Sequence, residues 1–199
     1  ALGLLSLNEN LLISSEYGKS SKDILKKLSI INDSKIESLL LMQITKPKSR
    51  WDGGVMNIYH VPNATSTMNF IIKLCSSYAS PNSKYYKSQK LEIAMTRAMS
   101  CIVKVQHDDG TIDLHSTNFH STPDTAFFVN YLSPVYLTLK NLNQPRLVNL
   151  ITDFEIFLKN TSKCLLVGGA HTANHRWVIC SALARINSFF PSPKLIDRI

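Results

Sequence analysis

Leu91, Ala94, Met95, Ala98, Cys101, Ile102 and Val105 recur at intervals of three and four, which places them on one face of a helix. The same period returns along the chain. Ile24, Leu25, Leu28 and Ile31 keep one face. Phe70, Ile71, Leu74, Cys75 and Tyr78 keep another, as do Phe127, Phe128, Tyr131, Leu132, Val135 and Leu139. Leu147, Leu150, Ile151, Phe154 and Leu158 follow, then Ile179, Leu183, Ile186 and Phe190. A chain of amphipathic helices has to bury each stripe against a neighbour, and the short connections favour antiparallel hairpins. The fold class predicted is all-α: antiparallel helical hairpins, roughly seven or eight helices in all, forming part of an α/α toroid as an incomplete barrel. Residues 1–199 read as one domain, because a chain of this length can bury about 70% of the surface its unfolded form exposes. The last residues, Lys194–Ile199, look like the start of a further helix, as expected of a piece of a longer chain.

Local signals set the expected boundaries. Asn32-Asp33 is expected to break the first stripe, and Ser34 with Glu37 three residues on has the spacing of a capping box for a second helix to about Thr45. Residues 46–62 are predicted to form a long loop around Trp51-Asp52-Gly53-Gly54. Gly110 is expected at positive φ in the turn after the 91–105 helix. Thr122 is the expected cap of the next helix, with Pro123 in its first turn and Pro134 as a kink. The following helix is expected to end near Asn160.

The densest chemistry lies in Gly168-Gly169-Ala170-His171-Thr172-Ala173-Asn174-His175-Arg176-Trp177, at the start of the 173–189 stripe. With Thr172 as cap, Asn174, His175 and Arg176 fall in the first turn. There, free N–H groups and the helix dipole favour an anion. A second polar loop, His107–Thr122, precedes the helix two earlier. On an α/α barrel both loops share a rim, which gathers His115, Asn118, His120, His171, Asn174 and His175 into one candidate site.

Several chemistries are disfavoured. His171 and His175 have HxxxH spacing, but Thr172 stands where a metalloprotease needs its Glu, so no metal is expected, nor any other cofactor. Gly168-Gly169 lacks the GxxxxGK[ST] of a phosphate loop. Cys75, Cys101, Cys164 and Cys180 form no CxxC pair and read as buried thiols. No apolar run approaches a membrane span, and Ala1–Leu7 carries no basic leader, which leaves the compartment open among secreted, periplasmic and cytoplasmic. Lys plus Arg number 22 against 14 Asp plus Glu, a net charge of +8 that favours an anionic partner. The lysines are scattered over several segments with no basic helix, so nucleic acid is not the expected partner.

The hairpin pattern, the Asn174-His175 pair opening a helix ahead of Trp177, the Asp109-Gly110-Thr111-Ile112-Asp113 turn and the His120–Phe127 segment resemble the α/α-toroid polysaccharide lyases, heparinase II/III-like and alginate-lyase-like. That resemblance implies β-elimination on a uronic-acid glycan, with an anionic polysaccharide or oligosaccharide as partner. It implies that Asn174 and His175 neutralise the uronate carboxylate, and it leaves His120 or His171 as base. The family's catalytic Tyr and its β-sandwich domain fall outside this sequence. Arg176, Trp177, Asn118, Trp51 and Tyr59 are the candidate substrate contacts. Alternatives from other classes are an α/α-barrel glycoside hydrolase, for which Asp113 and Asp124 are candidate acids, and a non-enzymatic helical-repeat binding module.

Overall fold

The computed structural model describes residues 2–114, 117–169 and 171–199, with side chains from residue 21 onward. It is 69% helix. The α-helices are α1 (Leu2–Leu41), α2 (Ala64–Ala79), α3 (Gln89–Val105), α4 (Thr122–Leu142), α5 (Val148–Val167), α6 (Ala173–Phe189) and α7 (Pro193–Arg198). Antiparallel pairs β1 (Val55–Met56) with β2 (Pro62–Asn63), and β3 (Ile112–Leu114) with β4 (Asn118–Ser121), precede α2 and α4. The helices form two layers. One runs α1, α2, α4, α6 and the other α3, α5, α7, joined by the successive pairs α2–α3, α4–α5 and α6–α7. The stripes meet between the layers, where Leu74, Tyr78, Met95, Ile102, Leu132, Tyr136, Phe154 and Phe157 are fully buried. All-α architecture follows from the periodicity as expected.

The two strand-bearing turns are built alike. Gly53 and Gly110 have φ of 89° and 88°. A Cβ on Gly53 would stand 2.1 Å from the Arg97 carbonyl oxygen of α3, and one on Gly110 would stand 2.1 Å from that of Asn160 in α5. Gln43 donates to the Gly53 and Ala94 carbonyls at 2.8 and 2.9 Å, while Gln106 donates to those of Gly110 and Phe157 at 2.9 and 3.3 Å. Thr67 accepts the Val55 N–H and Thr125 accepts that of Ile112. Asn63 and Ser121 cap α2 and α4. One structural unit thus occurs twice: a turn docked on a helix of the other layer, a strand pair, a capped helix and its return helix. The α6–α7 pair follows with only residues 168–172 between α5 and α6.

Four boundaries differ from the sequence expectations. The helix through Asn32-Asp33 is unbroken, because both side chains find partners on the α2 side instead of competing with their own backbone. Asn32 donates to the Lys73 carbonyl and Ser77 Oγ, and Asp33 accepts from Ser77 Oγ, Ser83 Oγ and the Lys84 N–H at 2.6, 2.7 and 2.9 Å. Ser34 accordingly starts no helix, and Glu37 bonds Tyr85 and Lys90. The 46–62 stretch contains β1 and the start of β2. Ser121, not Thr122, caps α4, and α5 continues past Asn160 to Val167.

Asp33 ties α1 to the α2–α3 connection from a site 7% exposed. Desolvation acts to raise its pKa, but the bonds from Ser77, Ser83 and Lys84 hold it below the usual value. Asp109 is held at about 2 and Asp113 is also lowered, each against a desolvation that opposes it. Groups depressed in the folded state contribute stability that is present above the unfolded carboxyl value of about 4 and is lost as pH falls through the folded values. Melting temperature should therefore fall between about pH 4 and pH 2. Asp33→Ala should lose about 2–3 kcal/mol at neutral pH by leaving three donors without their acceptor, a loss read by urea denaturation.

Candidate functional site

The entries to α4 and α6 meet at one cleft of about 350 Å³ lined by Asn118, Phe119, His120, Asp124, His171 and His175, among others. Gly168 makes the approach possible. A Cβ there would lie 2.4 Å from both Thr122 Cγ2 and Thr122 Oγ1, so the first residue of α4 sits directly against the glycine. Arg198 holds the same segment from α7 by donating to the Gly168 carbonyl at 2.9 Å.

His120 is the best supported side chain in the cleft. It has φ of 49°, a left-handed conformation that costs a non-glycine residue energy, and its N–H donates to Asp113 Oδ1 at 2.9 Å. Its Nδ1 lies 2.8 Å from Asp109 Oδ2. An ionised carboxylate only accepts, so Nδ1 carries the proton and Nε2 is left as an acceptor when the ring is neutral. Asp109 is itself fixed by the Thr111 amide and hydroxyl at 2.9 and 2.6 Å. The His107 ring stacks on that of His120 at 3.8 Å between centroids and donates from Nε2 to the same Asp113 oxygen, 2.8 Å away. One carboxylate on its ring, another on its backbone N–H and a stacked imidazole thus position His120.

Across the cleft, His171 precedes α6 and His175 lies in its first turn, their rings edge to face at 6.5 Å. His175 Nδ1 is buried and has no partner among the described residues. Thr172 occupies the cap position, but its hydroxyl donates to the Asn174 side-chain oxygen and makes no bond to the helix start. Arg176 N–H donates to the Thr172 carbonyl at 3.2 Å; the amides before it are those a helix start leaves without intrahelical acceptors.

The structure therefore brings His120, Asn118, His171 and His175 together at one cleft. Asn174 and Arg176 are exposed beside the cleft and do not line it. Trp177, 77% exposed, and Tyr59, 76% exposed, also lie outside it. Trp51 packs partly against the core and lines an adjoining cavity. His115 lies outside the described residues. Sequence reasoning gave no role to His107 or Phe119 and did not pair Asp109 with His120. The available signal was the acid-rich turn preceding a histidine, but its meaning depends on the β3–β4 pairing.

Other chemistries find little support. Burial pushes Cys75 and Cys164 up to about 12 and Cys101 to about 11, so these thiols are packing groups. Among the described residues, no group of three or more His, Cys, Asp or Glu is placed to hold a metal ion, and no helix is long and apolar enough to cross a membrane. Comparison with protein families, curated proteins and solved structures finds no match. What the fold and site define is a class: a two-layered stack of helical hairpins with a histidine-rich cleft where the starts of two helices meet.

Proposed function

We propose that this stack is part of an α/α toroid and that the cleft carries out β-elimination on a uronic-acid glycan. The observation that carries the reading is the His120–Asp109 pair, an imidazole oriented from behind by a carboxylate and facing two further histidines at a helix start. Abstracting the C5 proton of a uronate is difficult because charge develops beside a carboxylate that is already negative. Donors that meet this charge can each contribute on the order of 3 kcal/mol. His175 and the first-turn amides of α6 supply such donors, and Asn174 joins them if its side chain leaves Thr172. His120 Nε2 takes the C5 proton, the C5–H electrons form the C4–C5 double bond, and the C4–O4 bond breaks. The leaving oxygen takes a proton from an acid, a role open to His171, the remaining imidazole of the cleft.

Hydrolysis fits the cleft less well. It needs two carboxyl groups facing each other across the bond to be cut, and Asp124 is the single carboxylate among the described lining residues. It is moreover engaged by Ser121 and Asn118. The test is incubation with alginate, hyaluronan, heparan and pectic substrates, followed by ultraviolet absorbance of the unsaturated product. New reducing ends without that chromophore would mean a hydrolase. No cleavage together with binding to a protein partner would favour a helical-repeat module.

A further inference from the structure

We infer that the cavity adjoining the histidine cleft is a second subsite, which takes the acidic group of the sugar next to the pair joined by the bond that is cut. The inference rests on the glycan reading of the cleft. The cavity, about 160 Å³, is on the scale of a single sugar ring and is lined by Arg50, Trp51, Asp113 and Phe119 among others. Phe119 lines the histidine cleft as well, so the two spaces share a wall. That wall is an aromatic side chain 69% exposed, carried on β4 with its apolar surface unburied. Trp51 offers a second ring, held against the core. An apolar face beside a few placed charges is the usual makeup of a ligand site.

The charge points to an anion. Arg50, which lines the cavity, donates from Nη2 to the Val105 carbonyl at 3.3 Å, and Lys104 Nζ donates to the Ser49 carbonyl at 3.0 Å, so a second cation is held on the residues adjoining that pair. Neither forms an ion pair among the described residues. The nearby acids are already engaged: Asp52 by Arg97 at 2.9 Å, and Asp113 by His107 and the His120 N–H. The cations are thus left for a ligand. A polymer bearing an acid on consecutive sugars would place one carboxylate at the α6 start and the acidic group of the sugar beyond the cleaved pair at Arg50. A disaccharide would fill both spaces poorly.

The test is calorimetric binding of size-defined alginate di- and tetrasaccharides, with heparin-derived di- and tetrasaccharides as the arm that distinguishes sulfate from carboxylate. In at least one series the tetrasaccharide should bind at least tenfold tighter than the disaccharide, with salt-sensitive affinity. Arg50→Gln and Lys104→Gln should each cut that gain to less than threefold while leaving disaccharide affinity and melting temperature unchanged, and Arg50→Lys should retain most of it. Equal binding of both lengths, a gain untouched by Arg50→Gln, or no binding in either series overturns the subsite. A gain that depends on Arg50 without any unsaturated product would keep the subsite and sink the elimination chemistry. Unsaturated product with a gain indifferent to Arg50 would do the reverse.

Discussion

Replacing His120 with alanine should lower β-elimination by about 10³-fold, within the range a positioned general base supplies, while melting temperature changes little. The ring is exposed, and its contacts are polar bonds and one stack, so its removal leaves no buried cavity. Asp109→Asn tests the support behind the ring. An amide can present either its oxygen or its N–H to Nδ1. In the second arrangement the imidazole proton moves to Nε2 and the base is lost. The expected loss is on the order of 10²-fold with little change in substrate affinity. Rates would be followed by appearance of the unsaturated chromophore. Full activity in His120→Ala would remove this residue from the chemistry and leave His171 as the base to test.

The largest expected effect on stability is at Gly110. An alanine there must adopt φ near 88° and place its Cβ 2.1 Å from the Asn160 carbonyl oxygen, an atom of the α5 backbone. Strain of this kind costs up to about 3 kcal/mol at one residue, and the clash adds to it. The expected loss is about 4 kcal/mol, roughly 10 °C in melting temperature for a chain of this size. Because the turn carries Asp109 and Thr111, the support of His120 should loosen as well. Gly169→Ala is the control. Its nearest neighbour would be the His171 ring at 3.7 Å, an ordinary contact, so its effect should stay within about 0.5 kcal/mol. Equal melting temperatures for the two variants would show that the Gly110 turn is not docked on α5 as described.

Helices were the legible part of this protein. A stripe such as Leu91–Val105 is written in contacts three and four residues apart, so it survives without knowledge of the rest of the chain. The Gly110 turn was legible for the same local reason, and the meeting of His120 with His171 and His175 was expected from two polar loops that precede helices one apart. What lay beyond local pattern was settled by partners far along the chain. Asn32-Asp33 looks like a break until its side chains bond Lys73, Ser77, Ser83 and Lys84, Asn32 as donor and Asp33 as acceptor. Trp177 and Tyr59 look like binding platforms, yet the packing of α6 and the direction of the β1–β2 turn leave them outside the cleft. The stack of His107 on His120, with Asp109 and Asp113 behind it, depends on the register of β3 and β4 and on a positive φ at a histidine. The periodic spacing of apolar residues determined which segments coil; tertiary packing alone decided which side chains meet, because those contacts join segments that no local period relates.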